Sequence, residues 1–456
     1  MRCATGVTFD GPLEGGRIIQ TGCSVRVVFV LCGTATVVLA PLSCAAFGAA
    51  LPRQPIARHR WRQAVPHIPL LFLLAALCWP KFGAAVPFTP TSDAQVLERL
   101  PARAADPRMR DMAEMRRALA KDPRNAALAV RLVGRYQAEL AAEGDPRYIG
   151  YAQAALAPWW SDAKAPVDVR VARAVLLQFN HQFAPALEDL LSVVREQPDH
   201  AQAWAWITAI AMVQADYNTA RRACAQMAQH SPLLIGVACA AQVDGSTGQG
   251  ARAQLAITAA LRSQVDATPE AQLWALTRLA ELQERLGQAA LAETSYRQAL
   301  ALGVSDGYLQ AAYADFLLDQ KRPAEVIELL KDKSRSDLLL LRLALAGKLT
   351  NDKTLPAWSA ALSARFDAAK LRGDTVHQKE EARFALHVLA DARRALPLAL
   401  ANFEVQREPA DARLVLEAAL AAQQRAAAEP ALVWLRSSKI ESQILQTLAT
   451  QVEALK

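Results

Sequence analysis

From about Met109 onward, apolar side chains recur at three- and four-residue spacing, and short polar turns interrupt them. That period predicts amphipathic helices. The clearest stretch is Ala201 to Leu234, a window of 34 residues carrying Trp204, Ile207, Ala211, Ala220, Cys224 and Pro232. Its phase continues outside the window. Ala152, Ala186 and Ala220 stand 34 apart, and so do Pro198 and Pro232. Each unit therefore reads as two antiparallel helices. Neither buries its apolar stripe alone, so neighbouring units stack and share a core. Alanine at the eighth and twentieth places allows close helix approach. A larger side chain there costs roughly 1–3 kcal/mol. Proline at the thirty-second place ends the second helix and presets the turn into the next unit.

The preceding unit runs Val167 to His200, with Ala174, Leu177, Ala186 and Leu190 in phase. After the reference unit the phase stumbles at a glycine-rich turn, Asp244 to Gly250, and slips by four residues around Ser263 to Glu270. It resumes at Leu273 with Ala280, Gly287, Ala292, Tyr296 and Ala299; Ala314, Val326 and Leu330 follow 34 beyond three of them. From Ser334 the units degenerate, yet helices are predicted over 337–349, 355–371, 378–394, 396–407, 411–427 and 429–438. Residues 440–456 read as a capping helix, polar on one face as a solenoid end requires.

The spacing of Trp204, Ile207, Ala211, Ala220, Cys224 and Pro232 resembles the tetratricopeptide repeat, with Thr208, Ala211 and Cys224 replacing its glycine and two aromatics. The segment Ala157-Pro158-Trp159-Trp160 resembles a group of exported bacterial repeat proteins. The resemblance covers roughly residues 100–440. It implies an all-α fold, a right-handed α-solenoid with a concave groove that takes a protein or peptide, and a scaffold that is not an enzyme. In such a repeat the second, fifth, ninth and twelfth places of the first helix face the groove. Here they bring Trp274, Thr277, Glu281 and Glu284 of one unit, and Tyr308, Ala311, Asp315 and Leu318 of the next, into one aromatic and acidic patch. The units at 167 and 201 supply Val171, Val175, Ala205 and Ala209 instead, which is apolar. The chaperone-binding members need lysine and asparagine at these places, so that activity is not implied.

Charge divides the chain. Residues 1–85 hold eight basic and two acidic side chains, leaving 43 basic against 42 acidic beyond them. The body is neutral and has no basic stripe, so nucleic acid is excluded as a partner. The first 65 residues read as an extension with a weak apolar segment, Val27 to Pro52, and a basic patch, Arg53 to Arg62. Residues 66–85 read as a signal peptide or membrane anchor: Ile68 to Trp79 is apolar, and Gly83-Ala84-Ala85 offers a cleavage site. Either reading puts the body on the periplasmic side of a cell envelope, with membrane contact only through these segments. Residues 86–105 read as a proline-rich linker, and 106–439 as the repeat array.

Candidate chemistry is sparse. Asp244 to Gly250 invites a phosphate-loop reading, but no Gly-Lys-Ser/Thr follows and no strand precedes it. His181, His200 and His230 fall at repeat turns, and the sequence suggests no metal, cofactor or catalytic set. An enzyme with its site in the degenerate units stands as a remote alternative, and a membrane-tethered accessory subunit as a nearer one. Cys224 and Cys239 lie eight and seven residues from Pro232, on the two sides of one turn. Equal distance from the turn puts them at one height, where a disulfide is possible. The competing reading is two free thiols acting as small core hydrophobes.

Overall fold

The computed structural model describes residues 106–455. The extension, the signal or anchor segment and the linker lie outside the described residues. The described chain is all-α, with no strand. It opens with α1 (Pro107–Lys121), α2 (Ala126–Glu143) and α3 (Arg147–Ala155). The regular repeats then follow: α4 (Val167–Phe179), α5 (Phe183–Glu196), α6 (Ala201–Val213), α7 (Tyr217–Gln229), α8 (Leu233–Gly245) and α9 (Gly250–Ser263). Next come α10 (Pro269–Arg285), α11 (Ala289–Ala301), α12 (Gly307–Asp319), α13 (Pro323–Leu330), α14 (Asp337–Thr350) and α15 (Leu355–Leu371). The chain closes with α16 (Gln378–His387), α17 (Ala392–Val405), α18 (Pro409–Ala421), α19 (Glu429–Ser438) and α20 (Gln443–Glu453). Consecutive helices pack as antiparallel pairs, α4 with α5, α6 with α7, α8 with α9 and α10 with α11, and each pair stacks on the next. This is an α-solenoid of helix-turn-helix units.

The 34-residue phase appears in the backbone as well as in the core. Ala174, Ala186, Ala220, Ala280, Ala292 and Ala314 are all fully buried. The fifteenth place of four units takes a left-handed conformation: His181, Ala215, Gly287 and Lys321 have φ of 56°, 60°, 76° and 62°. In each, the next residue's N–H bonds the carbonyl five residues back, as in Gln182 to Leu177 and Asp216 to Ala211. That bond closes a Schellman turn and satisfies a carbonyl that the helix end leaves free. The glycine-rich turn uses the same device, with Gly248 at φ 77° and Gln249 N–H on the Asp244 carbonyl.

The degenerate units are helical at shifted boundaries. The expected break between 394 and 396 falls instead at 388–391. Ala390 turns left-handed at φ 57°, and the Asp391 side chain accepts from Arg394 N–H and so caps α17. The run expected over 411–427 ends at Ala421, where left-handed Gln423 closes it. The terminal helix is Gln443–Glu453, capped by Ser442.

Tertiary contacts join the second half of the array to the mid-unit turns of the first. Ser336 meets Gly144. Arg407 N–H donates to the Val213 carbonyl at 2.7 Å. Trp434 Nε1 donates to the Tyr217 hydroxyl at 3.2 Å. Gly250 N–H donates to Glu441 at 2.5 Å. A Cβ at Gly250 would strike that carboxylate, and one at Gly287 would strike the Gln443 amide. Those side-chain ends would have to shift, and at Gly287 the left-handed φ of 76° favours glycine as well. The Asp244–Gly250 turn serves as a seat for Glu441 and Lys439, and its amide holds a carboxylate of the same chain.

Stability tests the phase directly. Ala220→Trp is expected to cost about 1–3 kcal/mol or more, because fully buried Ala220 separates two packed helices. Gln249→Trp, at an exposed place, is expected to change stability by less than about 0.5 kcal/mol. Equal melting temperatures for the two variants would overturn the phase.

Candidate binding cavity

Closure of the second half over the first converts the concave side into a cavity of about 310 Å³. Glu281, Glu284 and Arg285 reach it from α10, Tyr308 and Asp315 from α12. Lys379 and Arg383 come from α16, and Arg413 and Glu417 from α18. Met212, Ile257, Leu282 and Ile444 make part of its wall apolar. Seven acidic and seven Lys/Arg side chains line it, with His387 in addition.

Most of these charges are matched within the chain. Asp315 accepts from Arg342 at 2.6 and 3.1 Å and pairs with Arg383 at 2.8 Å. Burial pushes its carboxyl up, but the two guanidinium groups outweigh that and hold it well below the usual aspartate range. Arg413 bridges helices, binding Asp319 at 2.6 and 2.8 Å and Glu417 at 2.7 Å. Glu417 also meets His387 at 2.9 Å. Burial raises the Glu417 carboxyl, but His387 and Arg413 prevail and hold it at about 2. Lys379 pairs with Asp411 at 3.0 Å, where burial of the ammonium is outweighed by Asp411 and Glu408. The Tyr308 hydroxyl donates to Glu281 at 2.5 Å, and Arg278 lies over the Tyr308 ring at 4.8 Å while pairing with Glu281 at 3.1 Å.

Two neighbours on α10 differ. Glu284 accepts from the Tyr296 hydroxyl at 3.0 Å, and no cation lies within ion-pair distance of it among the described residues. Burial, with Asp319 beside it, pushes its carboxyl up to about 8. Arg285 makes no ion pair among the described residues. One Nη reaches the Gly245 carbonyl at 3.4 Å, and its buried Nε has no partner.

The expected patch is thus partly assembled. The structure brings Glu281, Glu284, Tyr308 and Asp315 to one cavity, and half-exposed Tyr308 faces its open space. Trp274 does not line it. That indole is half-buried and packs between the cluster around Cys224 and Cys239 and the cluster around Leu234 and Ala238. The acidic patch is also not free, since arginines from α10, α14 and α16 already occupy Glu281 and Asp315. Val171 and Val175, expected in the groove, are covered as well.

No protein-family model matches the chain, and no curated protein matches it. Among solved structures, a crystal structure of the P58(IPK) TPR domain aligns over 78% of this chain and 95% of its own. The two are 14% identical, with a TM-score of 0.20. The fold assignment rests on the helix pairs described above.

Cys224 on α7 and Cys239 on α8 are joined by a disulfide, their Cα atoms 5.7 Å apart. Helix axes ordinarily pack about 8–10 Å apart, so the pairing needs local close approach. Gly236 provides it: a Cβ there would crowd Ala228 of α7. No group of His, Cys, Asp or Glu among the described residues is placed to hold a metal. No described helix is long and apolar enough to cross a membrane.

Sequence reasoning missed the counter-charges. Arg342, Arg383, Arg413 and Lys379 sit in degenerate units where no phase assigned them a direction. For Arg342 and Arg413 the only signal was a position on a helix otherwise rich in apolar side chains, as in the Leu338–Leu345 run around Arg342; Lys379 and Arg383 lie on the polar helix Gln378–His387 and carried none.

Proposed function

We propose that this protein is a noncatalytic scaffold that holds another protein of the cell envelope, with its body on the periplasmic side. The single observation carrying the binding part is the convergence of Glu281, Tyr308 and Asp315 on one solvent-reaching cavity inside a stacked-helix array. Solenoids use such concave surfaces for partners. Paired charges around an open space also suit a polar partner segment, which exchanges hydrogen bonds with them rather than burying them unpaired. Export is supported by the basic patch before Ile68, the small residues at Gly83-Ala84-Ala85 and the Cys224–Cys239 disulfide, a bond that persists in oxidising compartments. If the segment at 66–85 stays uncleaved, the same body becomes a membrane-tethered accessory subunit. The N-terminal sequence of the mature protein separates the two forms.

Two experiments test the two parts. A photo-crosslinking amino acid at Tyr308 is expected to join one envelope protein in intact cells, while the same group at Leu371, which is 89% exposed, does not. A reporter active only outside the cytoplasm, fused after Lys456, is expected to be active. Crosslinks to cytoplasmic proteins, or activity only from a cytoplasmic reporter, would overturn the envelope reading. An identical pattern from Tyr308 and Leu371 would overturn the cavity as the contact.

A further inference from the structure

Among the described residues, Arg285 is the one half-buried cation of the cavity with no carboxylate within ion-pair distance. Arg278, Arg342, Lys379, Arg383 and Arg413 each have an acidic partner, and Arg407 is exposed to water. The protein thus places a guanidinium in low-dielectric surroundings with a single long bond to Gly245 and an unsatisfied Nε. Folding ordinarily gives such a group a counter-ion, because an unpaired charge held away from water is unfavourable. Glu284, its chain neighbour, does not serve. It accepts from Tyr296 and makes no ion pair with Arg285, and burial pushes its carboxyl up to about 8, which disfavours its charged form.

The counter-ion's chemistry follows from the walls. A guanidinium held by a single 3.4 Å bond can still take one carboxylate, which it matches with two parallel bonds. A multiply charged anion meets the carboxylates of Glu281, Asp315 and Asp319 on the same walls. A carboxylate also fills little of about 310 Å³, a volume at the small end of ligand cavities. The remainder is bounded by Met212, Ile257, Leu282 and Ile444. We infer that Arg285 anchors the carboxylate of a small organic acid whose hydrocarbon body lies against these apolar side chains. The inference does not rest on the scaffold reading, since it concerns the purified chain alone.

Titration calorimetry with hexanoate tests it, with hexanol, hexylamine and inorganic phosphate as controls. Hexanoate is expected to bind the full chain saturably, one per molecule, and to raise its melting temperature; the three controls are expected not to. Arg285→Met should weaken hexanoate at least about tenfold, the loss of one charge-assisted pair. Its unliganded melting temperature should stay equal or rise, because the substitution removes an uncompensated charge. Arg285→Gln gives the same reading if the methionine variant does not fold. Absence of hexanoate binding would overturn the proposal, as would equal binding by hexanol or by the variants. Binding of phosphate in its place would show a general anion site. Binding only of a peptide with a free C-terminal carboxylate would assign the carboxylate to a protein partner. Each of those two results replaces the small acid.

Discussion

Asp315→Asn is expected to lower unfolding free energy by about 3–5 kcal/mol, the usual cost of removing one partner from a buried ion pair. Asp315 holds Arg342 of α14 and Arg383 of α16 at once, so its charge ties three helices together. With it gone, two guanidinium groups share a neutral amide. Arg342 is nearly buried and cannot turn to solvent. The sign with pH follows from the direction of the carboxyl shift. Its folded value lies below its unfolded value, so the stabilisation is fully present above the ordinary aspartate range. It is lost as pH falls through the lowered folded value. Wild type and variant should therefore differ most near neutral pH and converge in strong acid. Urea unfolding followed by far-UV circular dichroism at neutral and acid pH measures both. A neutral-pH difference under about 1 kcal/mol would show that the triad is not closed. The same geometry bears on partner capture: reversing charge at Asp315 disturbs the fold, so a change at Tyr308 isolates binding more cleanly.

The second large effect is expected at Cys224 and Cys239. Their bond closes a loop of 15 residues across the α7–α8 turn. In the chain-entropy model a loop of that length contributes about 3 kcal/mol by restricting the unfolded chain. Cys224→Ala with Cys239→Ala should lose that amount plus a smaller term for the cavity left behind. Reduction of the wild type should lose the entropic part alone. Alkylation mass spectrometry of unreduced protein checks the bond itself: two alkylated thiols would refute it. Gly236→Ala is the informative companion, because its Cβ crowds Ala228 and pushes the two helices apart.

How much was legible depends on the range of each interaction. The repeat phase is a local property. It needs only the rule that a helix buries one stripe and that small side chains permit close approach, and Ala174, Ala186 and Ala220 carried it. The residues Glu281, Glu284, Tyr308 and Asp315 followed from places counted along regular units. Trp274, counted the same way, packs instead against the side chains around Cys239 and Leu234 on α8, which a count along α10 alone does not show. The break at 388–391 was misplaced because Asp391 caps α17, a short-range choice with several competitors in an alanine-rich segment.

What the amino-acid order determined by itself is therefore the all-α class, the unit length, the stacked antiparallel pairs and the inward direction of four side chains on α10 and α12. Tertiary structure alone decided that the second half closes over the mid-unit turns of the first. That closure sets Arg413 on Asp319, 94 residues away, Trp434 on Tyr217, 217 away, and Glu441 on Gly250, 191 away. Periodicity reports which face of a helix is buried. It carries no record of what buries it when the covering element is so distant in the chain, and so neither the matched charges of the cavity nor the solitary Arg285 could be read from it.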